Sequence, residues 1–175
     1  MRRRGGAAVI AVAGVLVLVA ALVAFQPWKL WVDDKASDAD VVAVSEPARP
    51  RAAEPSAAQE RKVTEKVFEG RHWRSYSHGE TSGKVKLYQQ PDGSHVLRLE
   101  DLSTSNGPDL KVVLSDKPYD QVAELGPDYL TLATLKGNIG DSNYTVTAGT
   151  DLTKYKSAVI WCKRFDAVFA AISLA

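Results

Sequence analysis

The chain of 175 residues holds a single cysteine, Cys162, and its thiol is the most informative group for chemistry. One cysteine excludes an internal disulfide and every multi-cysteine zinc or iron–sulfur site. A thiolate there could form a mixed disulfide or a sulfenic acid. With no resolving cysteine in the chain, either route needs a partner protein or a cofactor. Cys162 lies in Val159-Ile160-Trp161-Cys162-Lys163-Arg164-Phe165. Strand alternation puts Val159, Trp161, Phe165 and Phe169 on one face, with a bulge to absorb Lys163. Cys162 then shares the opposite face with Ala158, Ile160, Arg164 and Asp166. Arg164 would stand beside the sulfur and favour thiolate, and Asp166 would oppose it from farther away. The plainer alternative, a thiol that fills a small apolar site, is the commonest fate of a free cysteine and stays open.

Other residues suggest less. His78 sits in Ser77-His78-Gly79, where glycine permits close backbone approach, so it reads either as a ligand or as a hydrogen-bonded structural histidine. His72 and His95 fall beside turns or strand edges, as exposed positions do. Gly79-Glu80-Thr81-Ser82-Gly83-Lys84 imitates a phosphate loop. It has one residue too few between its glycines, Val85 where magnesium needs a hydroxyl, and a strand instead of a helix after it. Gly137-Asn138-Ile139-Gly140 lacks the flanking helices and basic face of a nucleic-acid clamp and reads as a turn between strands. No Gly-x-Ser-x-Gly elbow or His-Glu-x-x-His helix is present, and the acids from Glu100 to Asp128 lack calcium-loop spacing and read as a solvated edge. No metal ligand set is expected.

The elements that must position Cys162 are short strands. From Val63 onward, alternating runs are separated by turn residues. Lys84–Tyr88 and His95–Glu100 flank Pro91-Asp92-Gly93 and predict a hairpin, with Leu97 and Leu99 on one face and Arg98 and Glu100 on the other. Further strands are predicted at Leu110–Leu114, Tyr129–Leu135 and Asn143–Thr147, and Ser157–Ala171 predicts a central strand that bends or pairs with a second one. This cadence predicts an all-β domain over 63–175, an antiparallel β-sandwich or barrel-like fold. With 13 basic and 14 acidic side chains it is nearly neutral, which argues against nucleic acid as a partner.

Two segments precede that domain. Residues 1–32 comprise a short basic stub and the run Ala7–Phe25, which has no charged or polar side chain. As a helix the run crosses about 30 Å of hydrocarbon, with Trp28 and Trp31 at the exit. Arg2, Arg3 and Arg4 against Lys29 place the N-terminus in the cytoplasm and the C-terminal domain outside, as a single-pass signal-anchor. The alternative is a signal peptide cleaved after Val19-Ala20-Ala21, giving a secreted form. Residues 33–62 hold Ala, charge and three prolines with no aromatic residue, and read as a disordered linker.

Asn106-Gly107-Pro108-Asp109-Leu110, then Leu135-Lys136-Gly137-Asn138-Ile139-Gly140 followed by Tyr144, then Ile160-Trp161-Cys162-Lys163 with Phe165 and Phe169, form an ordered set with His78 and Gly83 upstream. The set resembles the electron-transfer DM-thirteen domain family over roughly residues 67–175, departing from it at Leu102, Val113 and Ala170 in ways that touch packing only. The resemblance implies a β-rich extracytoplasmic domain, in animals often joined to DOMON and membrane cytochrome domains. It also implies a redox cysteine, acting as a bare thiol or by holding a prosthetic group such as haem. That role falls on Cys162, with His78 and Asp109 as lesser candidates. The expected function is a membrane-tethered redox or electron-transfer domain centred on Cys162, working with a redox partner protein. The alternative is a non-catalytic cell-surface binding or structural module in which Cys162 is a buried packing residue.

Overall fold

The protein is described by a computed structural model over residues 4–30, 32–41 and 65–174. Helix α1 spans Arg4–Phe25, and a 3-10 turn follows at Pro27–Leu30. From Val12 on, where its side chains are described, α1 is exposed on all sides, Val15, Leu16, Val17 and Phe25 alike, so no protein surface covers it. Among the described residues no helix is long and apolar enough to cross a membrane.

The rest is β structure: β1 (Lys35–Ser37), β2 (Glu65–Gly70), β3 (Trp73–Ser75), β4 (Ser82–Gln89), β5 (His95–Ser103), β6 (Leu110–Ser115), β7 (Tyr129–Thr134), β8 (Ile139–Val146), β9 (Ser157–Cys162) and β10 (Ala167–Ser173). Sheet A has the order β1-β8-β5-β4-β2 and sheet B the order β3-β10-β9-β6-β7. Every pairing is antiparallel except β1 with β8. The expected all-β sandwich is therefore present.

Alternation builds its interior. Val85, Leu87, Leu97 and Leu99 of sheet A meet Val112, Leu114, Ile160 and Ile172 of sheet B in one buried cluster. The β4–β5 hairpin turns where Pro91-Asp92-Gly93 predicts: Gly93 takes φ +82°, and the Asp92 carboxylate accepts from the Ser94 N–H at 2.9 Å. A second cluster, with Val113, Val159, Trp161, Val168 and Ala171, lies behind sheet B under the β6–β7 connection. There the Tyr76 hydroxyl donates to the Tyr119 carbonyl at 2.7 Å and accepts from the Val122 N–H at 3.2 Å.

Three expectations change. The run from Ser157 pairs with a second strand, one of the two forms expected of it, but the hairpin of β9 and β10 reverses at 163–166, with Asp166 at φ +48°, where alternation predicts a continuing strand. Lys163, Arg164 and Phe165 sit exposed in that reversal, so Arg164 does not stand on the strand beside Cys162 and Phe165 is not core. Phe169 falls at a register shift between Val168 and Ala170, which turns its ring into the same cluster as Cys162 instead of the Trp161 face. Finally, residues 33–41, expected to begin the disordered linker, are docked: β1 pairs in parallel with β8, Lys35 opposite Ile139 and Ser37 opposite Asp141. Composition argues disorder from a lack of apolar surface, whereas this segment is held by backbone pairing and charge-assisted hydrogen bonds. The remaining linker, 42–62, lies outside the described residues.

The packing separates two substitutions that sequence pattern alone would equate. Leu99→Ala, at a fully buried site, is expected to lower unfolding free energy by about 2–5 kcal/mol. Phe165→Ala, at an exposed turn position, should cost within about 0.5 kcal/mol in the same urea titration followed by near-ultraviolet circular dichroism.

Candidate functional site

Segments far apart in sequence meet at one end of the sandwich. Cys162 closes β9, in register with Leu110 at the start of β6 and Ala167 at the start of β10. The Lys163 N–H donates to the Asp109 carbonyl at 3.0 Å, and the Leu135 N–H donates to the Leu110 carbonyl at 2.8 Å. The Lys136 N–H in turn donates to the Tyr144 hydroxyl oxygen at 3.0 Å, and burial pushes that hydroxyl's pKa up. The Asn106–Leu110 turn, the Leu135–Gly140 turn and the end of β9 are thus bonded into one unit. Gly107 lets the turn pack closely there: a Cβ would lie 3.0 Å from Leu110 Cδ2 and 3.2 Å from Phe169 Cζ.

Cys162 is 0 % exposed, a member of the interior cluster with Leu110, Ile160 and Phe169. Access, and not a neighbouring charge, therefore governs its reactivity. The cavity beside the Asn106–Leu110 turn is about 50 Å³. Cys162 does not line it, and a sulfur packed at 0 % exposure among apolar side chains does not fit a haem ligand, whose site takes roughly 300–1,000 Å³. His78 is exposed, at φ +61°, with its ring packed on Phe169 at 4.7 Å and its carbonyl accepting from Ser105 Oγ. It lines an open groove of about 510 Å³ with Asp33, Glu80 and Thr104, in which Cys162 takes no part. Asp109 pairs with Lys111 at 2.8 Å. Among the described residues no group of three metal-ligating side chains is assembled. The ring of Phe169 thus joins His78 to the core that holds Cys162.

What sequence reasoning missed is a clamp on residues 32–40. The Asn138 amide, 1 % exposed, accepts from the Asp34 N–H at 2.7 Å and donates to the Asp33 carboxylate at 2.8 Å and to the Thr104 carbonyl at 2.9 Å. Asn106 Nδ2 donates to the Val32 carbonyl at 2.7 Å and to Asp34 Oδ2 at 3.2 Å. Arg98 sits behind sheet A and is also 1 % exposed. It reaches the Asp38 and Ala39 carbonyls, Asp40 at 2.7 Å and Asp141 at 2.8 Å. Lys136 Nζ donates to Asp38 at 2.5 Å. That bond, helped by the Asn143 N–H, holds the Asp38 carboxyl below its ordinary 3.8, against the opposing effect of burial. The signal available in sequence was four aspartates at 33, 34, 38 and 40, ahead of the first linker proline, Pro47.

A family model described as Electron transfer DM13 matches residues 72–174, which include Cys162, His78, Asp109 and both turns. No curated protein and no solved structure matches the chain.

Two outcomes follow from this geometry. In the native full chain, a disulfide reagent should modify Cys162 at least about 100-fold more slowly than in the denatured chain, at a rate that tracks local opening; rapid native labelling would contradict the burial. The depressed carboxyl of Asp38 contributes docking stability that is present above its ordinary 3.8 and lost as pH falls through its lower folded value. Hydrogen exchange at the Ile139 amide, which donates to the Asp34 carbonyl at 3.2 Å, should therefore lose protection below about pH 3.8, and Asp38→Asn should remove that pH step.

Proposed function

We propose, for a chain that belongs to the electron transfer DM13 family, that it is a membrane-tethered extracytoplasmic module whose redox role centres on Cys162. The family match suggests an electron-transfer-related role for the β domain. One observation supports centring it on the sulfur: the Asn106–Leu110 turn, the Leu135–Gly140 turn and the β9–β10 hairpin, drawn from distant stretches, close on the end of the sandwich where Cys162 sits. Enclosure sets the manner of reaction. A thiol shielded from water does not exchange freely with small thiols, so it meets its redox partner through a local opening of the β9–β10 end. No further cysteine is present to resolve a disulfide, so the resolving group belongs to the partner protein.

Tethering rests on α1. An apolar helix exposed on all sides has no reason to be stable in water, and hydrocarbon is the medium that suits it. Arg2, Arg3 and Arg4 before it favour a cytoplasmic N-terminus, which leaves the sandwich outside the cell.

A second reading has its own observation. Cys162 at 0 % exposure in a packed core is what an inert packing residue looks like, and the domain would then be a binding or structural module. Peroxide separates the two. Thiolate attack on one peroxide oxygen breaks the O–O bond, releases hydroxide and leaves a sulfenic acid on Cys162. If the redox reading holds, membranes carrying the full chain and treated with mild peroxide should yield Cys162 labelled by a sulfenic-acid trap while the domain stays folded. Cys162→Ala should take up no label. Labelling confined to denatured protein would establish the packing reading instead.

A further inference from the structure

We infer that the β8 edge of sheet A, with the Gly137–Gly140 turn and Arg98, is a strand-acceptor site for an extended aspartate-bearing peptide, which this chain fills with its own residues 33–40. The acceptor lies wholly within the family match at 72–174, whereas the occupant precedes it and is separated from it by residues 41–71. The contact has the form of β-strand addition, in which main-chain pairing supplies affinity and side-chain contacts supply selection. The Ile139 N–H donates to the Asp34 carbonyl at 3.2 Å and the Asp38 N–H donates to the Asp141 carbonyl at 3.0 Å, bracketing the paired residues.

Two features show that the surface is shaped for an occupant. A Cβ on Gly137 would lie 2.5 Å from the Asp34 carbonyl oxygen, and one on Gly140, at φ +100°, would lie 2.1 Å from the Ala36 carbonyl oxygen. Both glycines thus leave room for another backbone; a turn between strands needs at most the positive φ of the second. The polar groups are matched as well. Asn138 meets Asp33, Asn106 meets Asp34, Lys136 meets Asp38 and Arg98 meets Asp40, so each aspartate of the occupant has its own donor. Asn138 and Arg98 are buried with the occupant in place, so a segment that covers them must bring acceptors for their donors, which selects for a segment of this charge pattern. The ligand class is an extended segment with small residues where the glycines sit and carboxylates on either side.

The test cuts the chain and asks whether the strand can be exchanged. A specific protease site is placed between Pro47 and Pro55 of the full chain in detergent, and the cut protein is run on a sizing column with a synthetic peptide of residues 32–41. The pieces should stay together after cutting, through β1 alone, and excess peptide should release the C-terminal piece folded and peptide-bound. A peptide with Asp34, Asp38 and Asp40 changed to Asn should be at least roughly tenfold less effective. Pieces that separate on cutting, with a folded C-terminal piece that ignores the peptide, would overturn the proposal. So would pieces that no excess of peptide displaces, or equal displacement by the Asn peptide. The sizing column reads strand exchange and not thiol chemistry, so failure of this proposal and failure of the redox reading are distinguishable.

Discussion

A guanidinium buried behind a sheet must have its charge answered, and in this protein that constraint joins the sandwich to the segment before it. Strand β5 carries Leu97 and Leu99 on its inner face, and the same alternation sets Arg98 on its outer face. An arginine there would ordinarily lie in water. Instead residues 38–40 cross the back of the sheet and bring it to 1 % exposure, with Asp40, Asp141 and two carbonyls as acceptors and Glu100 at 3.5 Å from Nε. Pairs of this kind add little net stability over apolar packing, but removing one partner leaves a charge stranded at a cost of several kcal/mol. The buried arginine therefore specifies where residues 38–40 lie more than it strengthens the fold. Because those residues continue directly from β1, it also specifies the edge of sheet A.

That edge shapes the end of the molecule where the family's turns gather. Asp34 and Val32 are held by Asn106, which opens the turn leading to Leu110, and Leu110 stands opposite Cys162. A path of hydrogen bonds and strand register thus runs from residues 32–40 to the strand that carries the sulfur, through Asn106 on one side and Lys136 and Tyr144 on the other. The sulfur itself is shut off from water, since Cys162 belongs to the interior cluster that leucine, isoleucine and phenylalanine side chains build between the two sheets.

The Leu135–Gly140 turn shows how a motif can be legible while its reason is hidden. In sequence, two glycines around Asn-Ile mark a turn; the structure bends the chain at Lys136 and Asn138 and already starts β8 at Ile139, so Gly140 is a strand residue. Why glycine stands at both places depends on the backbone of residues 34–36, which lies about a hundred residues away along the chain and touches the turn only after folding. The buried Asn138 is the same case: a polar turn residue by sequence, and the clasp for Asp33 and Asp34 by structure.

Local pattern determined the sandwich. The β4–β5 hairpin, the strands at Leu110, Tyr129 and Asn143, and the opposite faces of Trp161 and Cys162 follow from a period of two and from turn residues, which are properties of neighbours in sequence. The ordered motif set was likewise legible, and with it the family. Three things escaped that reading, each because it depends on contacts between remote segments. Alternation placed Arg164 beside Cys162, but the chain reverses at 163–166 to pair β10 with β9, and pairing is decided by the partner strand. Composition made residues 33–41 a tether, but an edge strand bound by hydrogen bonds needs no apolar surface of its own. The depth of Cys162 escaped too, since one strand's alternation shows which side a thiol faces, and only the second sheet closing over that side decides that no water reaches it.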